Sequence, residues 1–311
     1  MRRMIQEKYQ PIGEMRLEEA EAPILGSGEL LVRVEAAGVN PVDWKLVEGY
    51  LRGAIEIPFP YVPGCDVAGT VEAVGEGVTE FAVGDAVFGY PSLQRGGGYA
   101  EKVKLLENEC ARAPQGISLK EAAAYPVATI TAFEGLFVYG KLAAGMRLLV
   151  LGGAGGVGSA AVQMAKASGA EVYATASRRN AEYVESLGAQ AIDYGAGAIA
   201  DFVQGVDFIF DTVGGEAALA AIPALRQGGQ YVTPVFPLPP SEVLEAKDAT
   251  GYAYGILPSR ERLEQVRPWI EGGALRMAIA AEYGLGQVVA ALEASKTGRT
   301  RGKLLVVPAL D

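Results

Sequence analysis

The stretch LVLGGAGGVG, Leu149–Gly158, decides the fold because an apolar run turns directly into a cluster of glycines. Gly153, Gly155 and Gly158 match the pattern G-x-G-x-x-G of dinucleotide-binding folds. The first glycine allows a tight turn, the second lets the backbone approach a pyrophosphate, and the third lets a helix pack close to the sheet. A helix is predicted directly afterwards, at Val157–Ser168. The stretch therefore predicts a phosphate-binding turn, with a simple bend between two elements as the alternative.

Apolar strands and helical stretches alternate on both sides of this turn. Strands are predicted at Arg147–Gly152, Glu171–Ala176, Ala191–Tyr194, Val206–Asp211 and Gly229–Pro234. The stretches between them have the length of about 10–15 residues that is typical of helices in β-α-β units. A parallel sheet covered by helices on both faces follows from this alternation. The predicted fold class is therefore α/β, with a doubly wound parallel sheet.

The first third of the chain has a different sequence pattern, in which short strand-forming segments are separated by Gly and Pro turns. These segments are Leu30–Ala36, Cys65–Val74, Asp85–Gly89 and Tyr99–Lys104. Several short strands of this kind predict an antiparallel barrel or sandwich. Mixed elements return after about Leu257 and end in the strand-like KLLVV. The predicted organisation is a β-rich domain, 1–118 and 258–311, interrupted by an α/β domain, 119–257.

The amino-acid composition limits the kinds of molecule and compartment in which the protein is expected to act. The net charge of −10 over 311 residues argues against nucleic acid, because phosphate binding needs a basic face. No run reaches the ~18 apolar residues of a membrane span, and the N-terminal segment lacks the apolar core of a secretory signal. Two cysteines exclude a disulfide framework. A soluble protein of a reducing, cytoplasmic compartment is expected.

The residues that follow the strand EVYATA indicate which dinucleotide the turn binds. In NAD-binding folds a carboxylate about 20 residues beyond the glycines binds the ribose hydroxyls. This chain has Ser177, Arg178 and Arg179 instead. Hydroxyl and guanidinium groups bind a 2′-phosphate that a carboxylate would repel, so NADP(H) is predicted as the cofactor. The alternative is that the two arginines only begin a solvated helix.

Segments spread over nearly the whole chain carry a family resemblance. They are AAGVNPVDWK (36–45), VPGCDVAGTVEAVGEGV (62–78), FAVGDAVFG (81–89), GGYAEKV (97–103), AAAYPVATITAFEGL (122–136), GGAGGVGSAAVQMAK (152–166), LGAQAIDY (187–194), VDFIFDTVGG (206–215) and TGRTRGKLLVV (297–307). In order and spacing they resemble the medium-chain dehydrogenase/reductase superfamily, specifically its zinc-independent quinone oxidoreductase branch. The resemblance implies a GroES-like catalytic domain split around a Rossmann domain. It also implies a homodimer that pairs the last Rossmann strand, near Ala249–Leu257.

The chain lacks the residues with which zinc-dependent relatives bind metal. It has no histidine, and Cys65-Asp66 stands where such relatives carry His-Glu. A Cys/Asp zinc site is chemically conceivable, but Cys65 is expected to pack as a small buried residue and Asp66 to accept hydrogen bonds. No metal is therefore predicted. Without a Lewis acid, reduction of a polarised acceptor is easier than oxidation of an alcohol.

These observations predict an NADPH-dependent, zinc-free reductase that transfers hydride to a quinone or an α,β-unsaturated carbonyl compound. Such acceptors spread the incoming charge onto an oxygen that hydrogen-bond donors stabilise. A 2-enoyl-thioester reductase is one alternative, although the acidic chain shows no basic channel for carrier phosphates. The other is an NADPH-binding structural or sensor protein without turnover, because fold does not fix function.

Candidate catalytic residues cluster in the segment NPVDWKLVEGY. By resemblance, Asn40 faces the nicotinamide end and Tyr50 lies where substrate or nicotinamide contacts occur. Lys45 offers a cationic donor, with a solvated charge as the alternative. By resemblance, Thr131 is preferred to Thr129 as the hydroxyl that binds the nicotinamide amide or ribose, with a threonine that bonds to its own helix backbone as the alternative. The residues predicted to contact the cofactor are Gly153, Ala154, Gly155, Gly156, Val157, Gly158, Ser177, Arg178, Arg179, Tyr194, Thr212, Val213, Phe236 and Lys303. For Lys303, contact with a substrate carbonyl and solvation at the end of its strand are the alternatives.

Overall fold

The computed structural model describes residues 1–310, which divide into two compact units. The first unit contains residues 1–127, 257–271 and the described residues from 277 onward. The second unit contains residues 128–256 and 272–276. The domain boundaries predicted from the sequence, 118/119 and 257/258, stay a prediction.

Strands dominate the first unit, whereas strands and helices alternate in the second. The strands are β1 (Arg2–Ile5), β2 (Arg16–Glu19), β3 (Glu29–Val39), β4 (Asp66–Val74), β5 (Ala86–Gly89), β6 (Lys102–Leu106), β7 (Cys110–Arg112), β8 (Arg147–Leu151), β9 (Glu171–Ala176), β10 (Gln190–Asp193), β11 (Val206–Asp211), β12 (Leu225–Thr233), β13 (Thr250–Ala253), β14 (Ile279–Tyr283) and β15 (Lys303–Val306). The helices are α1 (Pro41–Val47), α2 (Leu119–Ala122), α3 (Pro126–Phe133), α4 (Gly156–Ala167), α5 (Ala181–Ser186), α6 (Ile199–Phe202), α7 (Gly215–Ala221), α8 (Ser241–Glu245), α9 (Arg260–Glu271) and α10 (Val288–Lys296). Over residues 1–310, no helix is both long and apolar enough to cross a membrane.

The main sheet of the first unit is built around β3, which pairs with β4, β6 and β15. The strand order is β14-β15-β3-β4-β5-β7, and β6 pairs with β3 off this path. Neighbouring strands are antiparallel except for β14 and β15. Leu30, Val32 and Val34 of β3 are buried in the core, because alternate residues of a strand point to the same face. The β-rich character predicted for this part of the chain is confirmed.

The register of three adjacent strands brings polar residues to one end of this sheet. Leu304 of β15 pairs with Val39 of β3, and Gly38 of β3 pairs with Asp66 of β4. The first residue of β15, the residue after β3 and the first residue of β4 therefore lie side by side. These residues are Lys303, Asn40 and Asp66.

The sheet of the second unit has the strand order β10-β9-β8-β11-β12-β13, and every neighbouring pair is parallel. This is the order 3-2-1-4-5-6 of a doubly wound Rossmann sheet. Residues 148–151 of β8 and 208–211 of β11 are buried, as expected for strands covered on both faces. The order reverses between β8 and β11, and ligands of such sheets bind outside the carboxyl ends of the strands at this point. The predicted fold class is confirmed.

Candidate functional site

The turn that follows β8 is shaped by three glycines that the fold itself requires. Gly152 has a φ of 79°, in the left-handed region that favours glycine. A Cβ on Gly153 would lie 2.6 Å from the Cβ of Ala174 on β9. A Cβ on Gly158 would collide with the backbone of Gly152. Close packing of the turn, α4 and the sheet explains these three glycines.

Gly155, the second glycine of the motif, is not explained by packing. Its φ of −77° and ψ of 174° are accessible to any residue. An added Cβ would meet only the carbonyl oxygen of Gly152, at an ordinary contact distance of 3.5 Å. The space beside Gly155 is therefore open, and the motif brings a pyrophosphate against the backbone at this place. A nicotinamide dinucleotide fits this turn.

The N-terminus of α4 adds a field that attracts an anion to the same place. The helix begins at Gly156, directly after the turn, and its first turn contains no acidic residue. The first N–H groups of a helix have no partner within the helix, and the helix dipole places partial positive charge there. The turn and the helix together have the features by which helix N-termini bind phosphate, and phosphate binding here stays a prediction.

The strands on either side of β8 hold the turn in place. The N–H of Gly152 donates to Oγ1 of Thr175 at 3.0 Å, and the N–H of Gly153 donates to the carbonyl oxygen of Thr175 at 2.9 Å. On the other side, the hydroxyl of Thr212 donates to the carbonyl oxygen of Leu151 at 2.7 Å. Thr212, a predicted cofactor contact, thus fixes the strand end from which the turn departs.

Asp211, at the end of β11, holds the loop that carries Thr212 and Val213. Its buried carboxylate accepts hydrogen bonds from the N–H groups of Val213 at 2.7 Å and Gly214 at 3.0 Å. The hydroxyl of Tyr231 on β12 donates to the same carboxylate. Sequence reasoning missed Asp211 and Tyr231. The available signal was a charged residue at the end of an apolar strand, where the N–H groups of the following turn need an acceptor.

The residues predicted to select the cofactor lie at the carboxyl ends of β9 and β10. The last residues of these two strands pair, so Ser177 and Tyr194 follow at the same edge of the sheet. Arg178 and Arg179 are exposed in a short 3-10 turn directly after Ser177. Tyr194 is 62% exposed. The structure brings these side chains to the edge that also carries the glycine turn, and their contact with a cofactor stays a prediction.

Three further predicted residues of the second unit have different surroundings. Val213 and Phe236 are exposed, the first on the loop after β11 and the second on the segment after β12. Thr131 is only 5% exposed, in the middle of α3. The hydroxyl of Tyr254 donates to the carbonyl oxygen of Thr131 at 2.6 Å. This bond fixes the middle of α3 to the residue that directly follows β13. The roles of all three in binding stay predictions.

A buried polar cluster occupies the end of the first unit's sheet where β15, β3 and β4 meet. The ammonium of Lys303 donates to Oδ1 of Asn40 at 2.6 Å and to Oδ2 of Asp66 at 2.9 Å. The side-chain amide of Asn40 donates to the same carboxylate oxygen at 2.8 Å. The structure thus brings together Asn40 and Lys303, to which the sequence assigned separate roles.

Asp43 on α1 is a second buried carboxylate beside this cluster. It accepts hydrogen bonds from the hydroxyl of Tyr99 at 2.6 Å, the N–H of Asn40 at 2.8 Å and the thiol of Cys65 at 3.4 Å. Burial raises the pKa of Asp43 to about 6, although the hydrogen bonds from Tyr99 and Asn40 lower it. Burial and the neighbouring carboxylates of Asp43 and Asp66 raise the pKa of Cys65, so its thiol stays protonated.

Tyr50 and Lys45, the other predicted catalytic residues of this unit, surround Trp44. Tyr50 is 68% exposed, and its ring meets the indole edge-on with centroids 5.6 Å apart. Nζ of Lys45 lies 5.7 Å from the centroid of the Trp44 ring, and Nζ of Lys296 on α10 lies 5.6 Å from it. The ring of Tyr50 is accessible to a ligand, whereas the ammonium of Lys45 is engaged with the indole. Their catalytic roles stay predictions.

Comparison with known proteins places this architecture in a family. Residues 26–115 match the alcohol dehydrogenase GroES-like domain, and residues 187–306 match the zinc-binding dehydrogenase domain. The 2-methylene-furan-3-one reductase of Solanum lycopersicum is 34% identical over 313 residues, which cover 96% of this chain and 77% of that protein. The chain belongs to the medium-chain dehydrogenase/reductase superfamily, in its quinone oxidoreductase branch. The family predicted from the sequence is confirmed.

Two further proteins of this oxidoreductase family are similar along the whole chain. The chloroplastic NADPH-dependent alkenal/one oxidoreductase of Arabidopsis thaliana is 32% identical over 320 residues, which cover 99% of this chain and 80% of that protein. The structure of the quinone oxidoreductase from Coxiella burnetii superimposes with a TM-score of 0.89 at 28% identity, covering 99% of both chains. As a medium-chain dehydrogenase/reductase with this glycine turn, the protein is an oxidoreductase of a nicotinamide-dependent family.

The zinc implied by the name of the second matching domain does not fit the residues of this medium-chain dehydrogenase/reductase. The chain contains no histidine, and residues 187–306 contain no cysteine. In the first unit, the thiol of Cys65 donates to Asp43 and the ammonium of Lys303 already pairs with Asp66. Zinc requires thiolate, imidazole or carboxylate ligands in tetrahedral array. Within residues 1–310, no group of three or more such side chains is placed to hold a metal ion.

Proposed function

We propose that the protein is an NADPH-dependent reductase that transfers hydride to a quinone or an α,β-unsaturated carbonyl compound. The observation that carries this proposal is the open space at Gly155, next to the N-terminus of α4. The names of the relatives support the acceptor class, because they include a methylene-furanone reductase, an alkenal/one oxidoreductase and a quinone oxidoreductase. In each of these acceptor types a carbonyl group is conjugated with a carbon–carbon double bond.

The preference for NADPH is proposed from the edge formed by β9 and β10. Ser177, Arg178 and Arg179 follow β9, and the exposed Tyr194 follows β10. Hydroxyl and guanidinium groups are suited to the 2′-phosphate that distinguishes NADPH from NADH. The proposed cofactor contacts are Gly153, Ala154, Gly155, Gly156, Val157, Gly158, Ser177, Arg178, Arg179, Tyr194, Thr212, Val213 and Phe236. The cofactor contact that the sequence predicts for Lys303 is weighed separately below.

The reaction is proposed to need no zinc. Bound NADPH supplies the hydride, and the conjugated acceptor places the incoming charge on its oxygen. Hydrogen-bond donors of the protein then stabilise the negative charge on this oxygen, as a Lewis acid does in metal-dependent enzymes. Asn40, Tyr50, Lys45 and Thr131 are the proposed catalytic residues. The sheet register around Asn40 and the exposure of Tyr50 support their assignment more than that of the other two.

The proposal also covers the domain boundaries, the oligomeric state and the cellular compartment of the enzyme. It assigns residues 1–118 and 258–311 to a GroES-like catalytic domain and residues 119–257 to a Rossmann domain. It also includes a homodimer formed through β13, which among residues 1–310 pairs only with β12 and so leaves an edge of the sheet available to a second copy. Two buried, unpaired cysteines suit a reducing, cytoplasmic compartment, and neither nucleic acid nor membrane is proposed as a partner.

Steady-state oxidation of NADPH and NADH tests the proposal. The acceptor panel contains a quinone, an enone and a 2-enoyl thioester, each with a metal chelator present. We expect turnover with NADPH and a quinone or enone, and a lower kcat/KM with NADH. Turnover restricted to the thioester would replace the proposal with a thioester reductase. Tight NADPH binding without any turnover would replace it with a structural or sensor role.

A further inference from the structure

Lys303 is the one cation that is buried within residues 1–310. Its side chain is 4% exposed, whereas every other lysine and arginine of the described chain keeps more contact with solvent. A buried ammonium is stable only when a counter-charge and hydrogen bonds compensate its lost hydration. Asp66 supplies the counter-charge at 2.9 Å and Asn40 supplies a second acceptor at 2.6 Å. The carboxylate of Asp66 and the amide of Asn40 therefore both hold the Lys303 ammonium at the end of the sheet.

An inventory of donors shows which N–H of this cluster is not used. The Asn40 amide donates to Asp66 at 2.8 Å and approaches Sγ of Cys65 at 3.6 Å, while its oxygen faces Lys303. The other carboxylate oxygen of Asp66 accepts the N–H of Val127 at 2.7 Å. The ammonium of Lys303 has three N–H groups and two protein acceptors among the described residues. One N–H of Lys303 is thus left without a protein acceptor among these residues.

We propose that Lys303 is a catalytic residue of the reductase, whose remaining N–H donates to the carbonyl oxygen of the acceptor. This inference rests on the proposed function and names the group that stabilises the oxyanion. As hydride forms a C–H bond at the β-carbon of an enone, the π electrons move onto the carbonyl oxygen and the coenzyme is oxidised. The N–H bond of Lys303 stays intact, and the enolate then takes a proton from water to give the saturated ketone. Asp66 is a positioning residue, because it fixes the direction of the ammonium. Asn40, proposed above as a catalytic residue, is reassigned here to the same positioning role, because its amide oxygen accepts from Lys303 and its amide N–H donates to Asp66.

The ion pair with Asp66 favours a carbonyl oxygen over a phosphate as the ligand of Lys303. The Lys303–Asp66 pair is formally neutral, so a phosphate would bring its charge close to the Asp66 carboxylate without an uncompensated cation. A carbonyl oxygen arrives uncharged and gains negative charge only in the transition state, which is when a charge-assisted hydrogen bond contributes most. The cofactor contact first predicted for Lys303 becomes the competing assignment in the test.

The test compares Lys303→Met with Lys120→Met, which removes a lysine from an exposed ion pair with Glu282 of the same unit. For an enone, we expect Lys303→Met to lower kcat about 100-fold. The Kd for NADPH should stay within about twofold of wild type, because a twofold change is well under 1 kcal/mol. Lys120→Met should leave all these values unchanged. Where Lys303→Met fails to fold, the double variant Lys303→Met/Asp66→Asn is measured instead, because it leaves no unpaired buried charge.

The dependence on the acceptor separates catalysis from a structural role. A quinone gives a less basic oxyanion than an enone does, so the loss in kcat should be smaller for the quinone, about 10-fold. An equal loss with both acceptors, wild-type kcat in a folded variant, or a raised Kd for NADPH with unchanged kcat would each overturn the assignment. Failure of the proposed function is separate, because the wild-type protein would then oxidise no NADPH with either acceptor.

Discussion

Lys303 and Asp66 are 237 residues apart in the sequence, yet Nζ of the first lies 2.9 Å from Oδ2 of the second. Their side chains are 4% and 0% exposed. The pair joins the beginnings of β15 and β4 on either side of β3, so it fixes the end of the sheet from which Asn40 projects. Stability and the geometry of the candidate site therefore depend on the same ion pair.

Replacing Asp66 by alanine should destabilise the protein strongly, because it leaves the buried Lys303 ammonium without its counter-charge. We expect a loss of about 3–5 kcal/mol in the free energy of unfolding. The matched control is Glu282→Ala, which breaks an exposed pair with Lys120 and should cost about 1 kcal/mol or less. Urea unfolding of the variants measures both values. Similar losses of unfolding free energy in the two variants would show that the buried pair stabilises the protein no more than the exposed pair does.

Replacing Gly155 by alanine should weaken cofactor binding without destabilising the fold, because its Cβ would enter open space where the pyrophosphate is expected. We expect the Kd for NADPH to rise roughly tenfold or more, which corresponds to about 1.4 kcal/mol. Gly255→Ala is the matched control, since it also adds a methyl group to open space in the second unit. Calorimetric titration measures both variants. An unchanged Kd in Gly155→Ala would remove the glycine turn from the binding site.

Replacing Arg178 by glutamine should weaken the binding of NADPH but not of NADH, because only NADPH carries the 2′-phosphate. Loss of a hydrogen bond to a charged group costs about 1.5–3 kcal/mol, so the Kd for NADPH should rise about 10- to 100-fold. Arg226→Gln removes an exposed arginine that pairs with Asp207, and it should change neither Kd. Parallel titrations with the two coenzymes decide the point. An equal effect on both coenzymes would contradict recognition of the 2′-phosphate by Arg178.

The raised pKa of Asp43 should make stability fall as the pH rises through the acid range. An exposed aspartate has a pKa of about 3.9, whereas the folded protein holds the proton of Asp43 up to a pH of about 6. The contribution of this proton to stability is complete below pH ~4 and is lost as the pH rises to about 6. Its size is about 3 kcal/mol, from a difference of about two pKa units.

The variant Asp43→Asn isolates this contribution. The free energy of unfolding of the wild type minus that of Asp43→Asn should decrease between pH ~4 and ~6 and stay constant above that range. Urea unfolding at a series of pH values measures the difference. Asp201→Asn, at an exposed position on α6, is the control for the removal of an aspartate side chain. A difference that increases with pH would show that Asp43 has a lowered pKa.

Local patterns made the glycine turn and the parallel sheet predictable. The glycines are adjacent in the sequence to the strand and helix that they connect, and the strand Val206–Asp211 was predicted with the bounds that the structure shows. The parallel direction of the strands also follows from the alternation of strands and helices within a short stretch of chain. These features need no information about distant residues.

Contacts over long sequence separations limited the prediction of the site. Nothing near Lys303 in the sequence indicates that it pairs with Asp66, because the contact depends on the register of β15, β3 and β4. Asp43 lies within a helix whose apolar side gives no sign that Tyr99 and Cys65 reach it from loops elsewhere in the chain. Such clusters arise from tertiary packing, which periodicity and spacing do not encode.

The transfer of deuterium from NADPH labelled at C4 of the nicotinamide tests the central claim most directly. The wild-type protein is incubated with the labelled coenzyme, an enone and a metal chelator, with coenzyme of the opposite C4 configuration as the second sample. Mass spectrometry should find one deuterium on the β-carbon of the saturated ketone from one of the two coenzymes, at a rate that the chelator does not change. A saturated product without deuterium from either coenzyme, or activity that the chelator abolishes, would contradict metal-free hydride transfer.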